Sequence, residues 1–251
     1  MNEKKNFTGR YLLIDAMRGF AITNMVIFHF LYDVYMIYGK DTSWYALPYI
    51  HVWQQAICWT FILIAGLVWH LGGTNNFRRG IFFNICGLAI SLITWVIIPA
   101  EAIRFGILNF MGCAVLLTIP LHNIIHKIPS IVGIIVNFTA FILFKNIQRG
   151  YLGIGEVKLW TLPTTLYNIK ILTPFGFPYP GFRSSDYFPI FPWIFLFFTG
   201  YFFYFIFEKH DLWKHIAYAK IPILSKFGGK TIWIYLAHQP ICMLVCAVLF
   251  H

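Results

Sequence analysis

The chain has 251 residues, 59% hydrophobic and 20% aromatic, with 11% charged residues and a formal net charge of +10. Soluble domains carry about a quarter charged residues, so the composition excludes a soluble enzyme, a disordered chain and a coiled coil. It predicts an all-α, polytopic membrane helix bundle forming a single domain over residues 1–251, with about seven spans of roughly 20 residues each.

The first apolar run covers residues 11–37. Asp15, Arg18, His29 and Asp33 interrupt its core and no small-residue cleavage site follows, so it reads as a retained span and not a signal peptide. Six further runs follow at 53–71, 80–98, 105–121, 131–144, 187–207 and 231–250. With the N-terminus inside, the inner segments hold Lys4, Lys5, Arg10, Arg78, Arg79, Lys127, Lys209, Lys214, Lys220, Lys226 and Lys230. The outer segments hold Lys40, Arg104, Lys145, Arg149, Lys158, Lys170 and Arg183. Basic residues favour the cytoplasmic side, which predicts an N-in/C-out orientation. The same rule accounts for the positive charge without a nucleic-acid partner; the expected partner is the bilayer.

The longest non-spanning stretch, 146–186, falls on the outer face. Its many aromatic residues predict an ordered lid or acceptor-binding rim. The inner segment 208–230 predicts a basic interfacial helix over 211–224. Cys58, Cys86, Cys113, Cys242 and Cys246 lie in apolar runs without a CxxC pair and read as buried thiols. His122 and His126 have a helical H-x3-H spacing without a third ligand, and no metal site is expected.

Charged groups inside a span are costly and normally face the bundle interior. Asp15, Arg18, Ile22, Met25, His29 and Asp33 step by three or four residues and share one helix face. His29 stands about 16 Å beyond Arg18 at 1.5 Å per residue. In this ladder Arg18, paired with Asp15, neutralises an anionic group entering from the cytoplasm. His29 is a general base near mid-membrane, and Asp33, one turn on, orients it. The same ladder also suits a proton relay, which leaves a proton-coupled small-molecule transporter as the alternative function.

Arg18-Gly19-Phe20-Ala21, with ten residues between Arg18 and His29, resembles the signature of the transmembrane acyltransferase superfamily. The fuller pattern resembles its bacterial branch with the heparan-α-glucosaminide N-acetyltransferase catalytic domain. The matching pieces are Ile14 to Ile22, His29 to Asp33, Phe105 to Asn109, Asp186 to Pro189, Phe191 to Trp193, and Tyr235 to Pro240. This resemblance implies a bacterial cytoplasmic-membrane enzyme. It would move an acetyl group from cytoplasmic acetyl-CoA to a sugar or glycan amine or hydroxyl on the extracytoplasmic side. His29 would act as base, or carry the acetyl group itself. In the eukaryotic branch the catalytic histidine lies in the loop after the first span, which makes His51 the alternative base on the acceptor side.

His238 and Gln239 precede Pro240 in the last span, where a proline frees a backbone carbonyl and polar side chains line a cavity. With Asn109 they are candidate donors to a developing oxyanion and candidate donor-site contacts. Arg78 and Arg79 are candidates for the CoA phosphates at the inner mouth. Asp186 and Trp193 are candidates for the acceptor at the outer mouth. The expected neighbour of Asp186 is Arg183, and that of Glu101 is Arg104.

Overall fold

The computed structural model describes residues 11–39, 43–218 and 221–250. Lys4, Lys5, Arg10, Lys40 and Lys220, used above to set the orientation, lie outside the described residues. Helix α1 (Leu12–Tyr32) continues as a π-helix over Asp33–Tyr38. It is followed by α2 (Ser43–Ala46), α3 (Pro48–Leu67), α4 (Trp69–Gly72), α5 (Asn76–Ile97), α6 (Ile107–Ile125) and α7 (Ser130–Phe144). A short hairpin, β1 (Tyr151–Ile154) with β2 (Val157–Thr161), precedes α8 (Ile190–Lys209), α9 (Leu212–Tyr218), α10 (Pro222–Gly228) and α11 (Thr231–Leu249). Seven helical stretches among the described residues are long and apolar enough to cross a membrane, one for each predicted run. The protein is a multi-pass, essentially all-α integral membrane protein. A helix is the natural state of such segments, because in lipid each backbone polar group must find its partner within the segment.

Three local differences have physical causes. The predicted interfacial helix over 211–224 is divided into α9 and α10: Ile221, which precedes Pro222, is extended (φ −122°, ψ 80°), as proline demands of its predecessor. The third membrane stretch starts earlier than predicted, at Trp69, through α4 and a 3-10 turn in which Gly73 takes φ +50°. The outer segment carries an antiparallel hairpin that the aromatic composition did not announce.

Contacts divide the chain into two compact units, residues 1–64 with 207–251, and residues 65–206. In the first, Ile22, Met25 and Phe28 of α1 pack against Ile50 and Ile57 of α3, flanked by Trp44, Trp53, Ile234 and Tyr235. Lipid is as apolar as these side chains, so close packing and hydrogen bonds hold such helices together. Trp53 Nε1 donates to Asn24 Oδ1 at 3.1 Å. The tightest contact joins α1 to α10. A Cβ at Gly19 would overlap the Leu224 carbonyl, and one at Gly228 would overlap the Asp15 carbonyl. Ser225 Oγ completes this join by donating to the Leu12 carbonyl at 2.8 Å.

In the second unit α5 and α6 approach closely through Gly80, Gly87 and Gly112, with Asn84 and Asn109 filling the gaps beside them. The outer segment is tied down by tyrosines. Tyr151 donates to the Gly155 carbonyl at 2.9 Å, Tyr167 to the Ile147 carbonyl, and Tyr187 to the Thr173 carbonyl.

Candidate active site

Within the first unit, α1 and α11 bring four predicted residues together. The rings of His29 and His238 stand edge to face, with centroids 4.8 Å apart. His238 Nδ1 faces the Tyr235 carbonyl oxygen, one turn back on α11. An oxygen acceptor there requires the proton on Nδ1, so in the neutral ring Nε2 carries the lone pair. That Nε2 is buried and has no hydrogen-bond partner, and the same holds for Gln239 Oε1.

Asp33 does not orient His29. Its carboxylate, fully buried, accepts both of its interactions from Gln239 Nε2, at 2.9 and 3.2 Å. The helix widens into its π turn at Asp33, and α11 supplies the amide that meets it. Among the described residues, no hydrogen bond joins His29 to Asp33. The pairing predicted within α1 is thus replaced by one between α1 and α11, and the ring beside His29 is that of His238.

Toward the start of α1, Arg18 Nη1 lies 3.4 Å from Asp15 Oδ1, with Arg18 partly exposed and Asp15 buried. Gly19, next to Arg18, is the residue that lets α10 lie against this stretch. His51 lies in the first turn of α3 and not in a loop, and it is exposed.

The remaining predicted residues lie in the second unit. Asn109 is buried over Gly87, its Oδ1 without a partner. Arg78 is exposed at the start of α5, and Arg79 Nη1 donates to Asn76 Oδ1 at 3.1 Å. Asp186 does not pair with Arg183; its Oδ2 accepts the Ile107 backbone N–H at 3.1 Å and caps α6. Burial raises the Asp186 carboxyl to about 6, a rise that the Ile107 N–H opposes. Glu101 and Arg104 also part company, accepting from Ser185 and donating to Tyr179 respectively. Trp193, an acceptor candidate by sequence, is core, packed between Phe141 and Phe188, and its indole N–H has no partner among the described residues.

Sequence reasoning passed over a cluster in this unit. His70 stacks on Tyr204 at 4.1 Å and lies 5.5 Å from the ring of His122, which is hydrogen-bonded to the Tyr201 hydroxyl at 2.7 Å. His70 on α4 and His122 on α6 are distant in the chain, and the H-x3-H spacing of His122 with His126 does not point to His70. Among the described residues no group of side chains is arranged to hold a metal.

Against this geometry, the family model described as heparan-alpha-glucosaminide N-acetyltransferase, catalytic, matches residues 10–240. The chain belongs to that family. Comparisons with curated proteins and with solved structures gave no match. Membership makes the protein an N-acetyltransferase-like membrane enzyme. The region matched to the N-acetyltransferase family takes in the whole of α1 and reaches Pro240, so both halves of the His29–His238 arrangement lie within it.

Proposed function

We propose that the protein is a bacterial cytoplasmic-membrane acetyltransferase, oriented N-in/C-out. It passes the acetyl group of cytoplasmic acetyl-CoA to a sugar amine or hydroxyl on the extracytoplasmic side. One observation carries this reading: His29 on α1 faces His238 on α11, whose unshared Nε2 is buried without a partner. A protein core rarely leaves such an atom unsatisfied. The orphaned Nε2 and the orphaned Gln239 Oε1 fit a polar ligand at this place.

Acetyl-CoA, when bound, supplies an activated thioester carbonyl. The protein's own groups do the rest. Arg18, steadied by Asp15, meets the anionic end of the donor, about 16 Å from His29 along α1. His29 takes the proton from the acceptor amine or hydroxyl as it attacks the thioester carbonyl, and returns it to the CoA thiolate that departs as the C–S bond breaks. His238 Nε2 is an acceptor, so it shares the proton with His29 and is no oxyanion donor. One N–H of Gln239 is committed to Asp33, which makes that pair a brace that fixes α11, and hence His238, against α1. His51, also in the first unit, is the alternative base.

A proton-coupled transporter is less well supported, because Asp33 is bound to Gln239 and a relay along α1 is broken at that step. Turnover of acetyl-CoA by His29→Ala and Arg18→Ala tests the assignment. The first should lose the chemical step and the second should lose donor affinity. Normal turnover in both would contradict it.

A further inference from the structure

We infer that the second unit binds a membrane lipid by its headgroup: the β1–β2 hairpin seats its apolar residues in the outer leaflet, and the cleft at its base takes the anionic headgroup. This rests on the proposed orientation.

All five residues of β2 are exposed, with Val157 at 64%, Leu159 at 62% and Trp160 at 67%. Ile154, across the turn, is 57% exposed, and Ile171 beyond the hairpin is 78% exposed. Exposed apolar side chains gathered on one short hairpin mark an interaction surface. Its position says what covers it. The membrane stretch Ser130–Arg149 ends one residue before β1, and Ile147 and Tyr151 are buried where the two meet. A strand of five residues reaches only about 17 Å, so the hairpin stays within that distance of the end of the membrane stretch. Trp160 with Lys158 and Lys170 beside the apolar residues is the composition of a bilayer interface: amphipathic rings at headgroup level and lysines that extend to water.

The cleft, of about 430 Å³, opens at the foot of this hairpin. Gln148, Arg149, Thr161, Thr164, Tyr167 and Asn168 line it. Two amides and three hydroxyls, of which that of Tyr167 already donates to the Ile147 carbonyl, suit a polyol or sugar ring. Arg149 suits a phosphate, and its pairing with Glu156 at 3.3 Å is exposed and costs little to exchange. Residues 145–186 carry five basic side chains (Lys145, Arg149, Lys158, Lys170, Arg183) against two acidic ones (Glu156, Asp186). The chemistry is therefore that of a saccharide or polyol joined through phosphate to a lipid.

The test uses the whole protein in nanodiscs. With phosphatidylcholine brominated in its acyl chains, a quenched component of the tryptophan emission should disappear in Trp160→Phe. Equal quenching in the two proteins would overturn the seating of the hairpin. With phosphatidylinositol as probe in the disc, native mass spectrometry should find it retained, and Arg149→Gln should reduce retention several-fold. Asn168→Ala serves as a second variant should the first fold poorly. Absence of retention, or retention unaltered in both variants, overturns the proposal. Occupancy by free inositol phosphate equal to that by the lipid also overturns it, since it would mark a soluble ligand. Lipid retention by a protein that never turns over acetyl-CoA would contradict the acetyltransferase reading and leave this one standing.

Discussion

Gln239 Nε2 donates to both carboxylate oxygens of Asp33, across 206 positions of the chain. Removing one partner of a buried charged hydrogen bond leaves the other unsatisfied, at a cost of about 3–5 kcal/mol. Gln239→Ala is therefore expected to lower the midpoint of thermal unfolding in detergent by several degrees. Asp33→Asn keeps the shape and an acceptor oxygen, so it should retain turnover within about tenfold and leave the pH profile unmoved. An Asp that oriented a catalytic histidine would instead cost about 10⁴. A loss of that size in Asp33→Asn would restore Asp33 as part of the catalytic unit.

His29 and His238 should respond differently to substitution. His29→Ala removes the base and is expected to lower turnover by about 10²–10⁴, the usual worth of general base catalysis, while leaving acetyl-CoA affinity near wild type. His238→Gln removes the ring that shares the proton, and should lower turnover less. Steady-state and binding measurements on both variants check this; a His29→Ala enzyme with unaltered turnover would reject His29 as the base.

Backbone contact at Gly19 and Gly228 leaves no room for a methyl group. Gly19→Ala or Gly228→Ala should separate α10 from α1, destabilising the protein by about 1–3 kcal/mol, as overpacking does. Arg18 adjoins this join, so donor affinity should fall as well. Unfolding curves and donor titrations on either variant read both effects.

The Asp186 carboxyl has a pH signature. Burial raises it from 3.8 to about 6, so the folded state holds its proton more tightly than the unfolded chain. Its contribution to stability is full below pH 3.8 and is lost as pH rises through about 6. Asp186→Asn keeps a capping oxygen for Ile107 and does not titrate. The variant should therefore lack that component of the fall in stability between pH 4 and 7. Melting curves across that range decide it; an unchanged slope would mean that Asp186 is not the group responsible.

The seven spans are legible in the sequence because long apolar runs in a chain with 11% charged residues have one physical outcome. His29 on the first span and His238-Gln239 on the last are legible as polar groups in lipid. Their arrangement is not, because which amide meets Asp33 depends on how α11 rotates against α1, and no local pattern encodes that. Trp193 illustrates the same limit. A tryptophan at a span end reads as a candidate acceptor contact, and only the packing of Phe141 and Phe188 reveals a core residue. Asp186 was read as a ligand contact or a partner for Arg183. A backbone N–H 79 positions away is its partner. The hairpin escaped notice because its strands, four and five residues long with a register shift at Leu152/Gly153, are too short to show an alternation.

The most direct measurement is a calorimetric titration of acetyl-CoA into the purified, detergent-solubilised protein, with Arg18→Ala and His29→Ala alongside. Saturable micromolar binding, roughly −8 kcal/mol, is expected for the wild type, weakened by Arg18→Ala and preserved in His29→Ala. A folded wild-type protein that takes up no acetyl-CoA would contradict the acetyltransferase assignment.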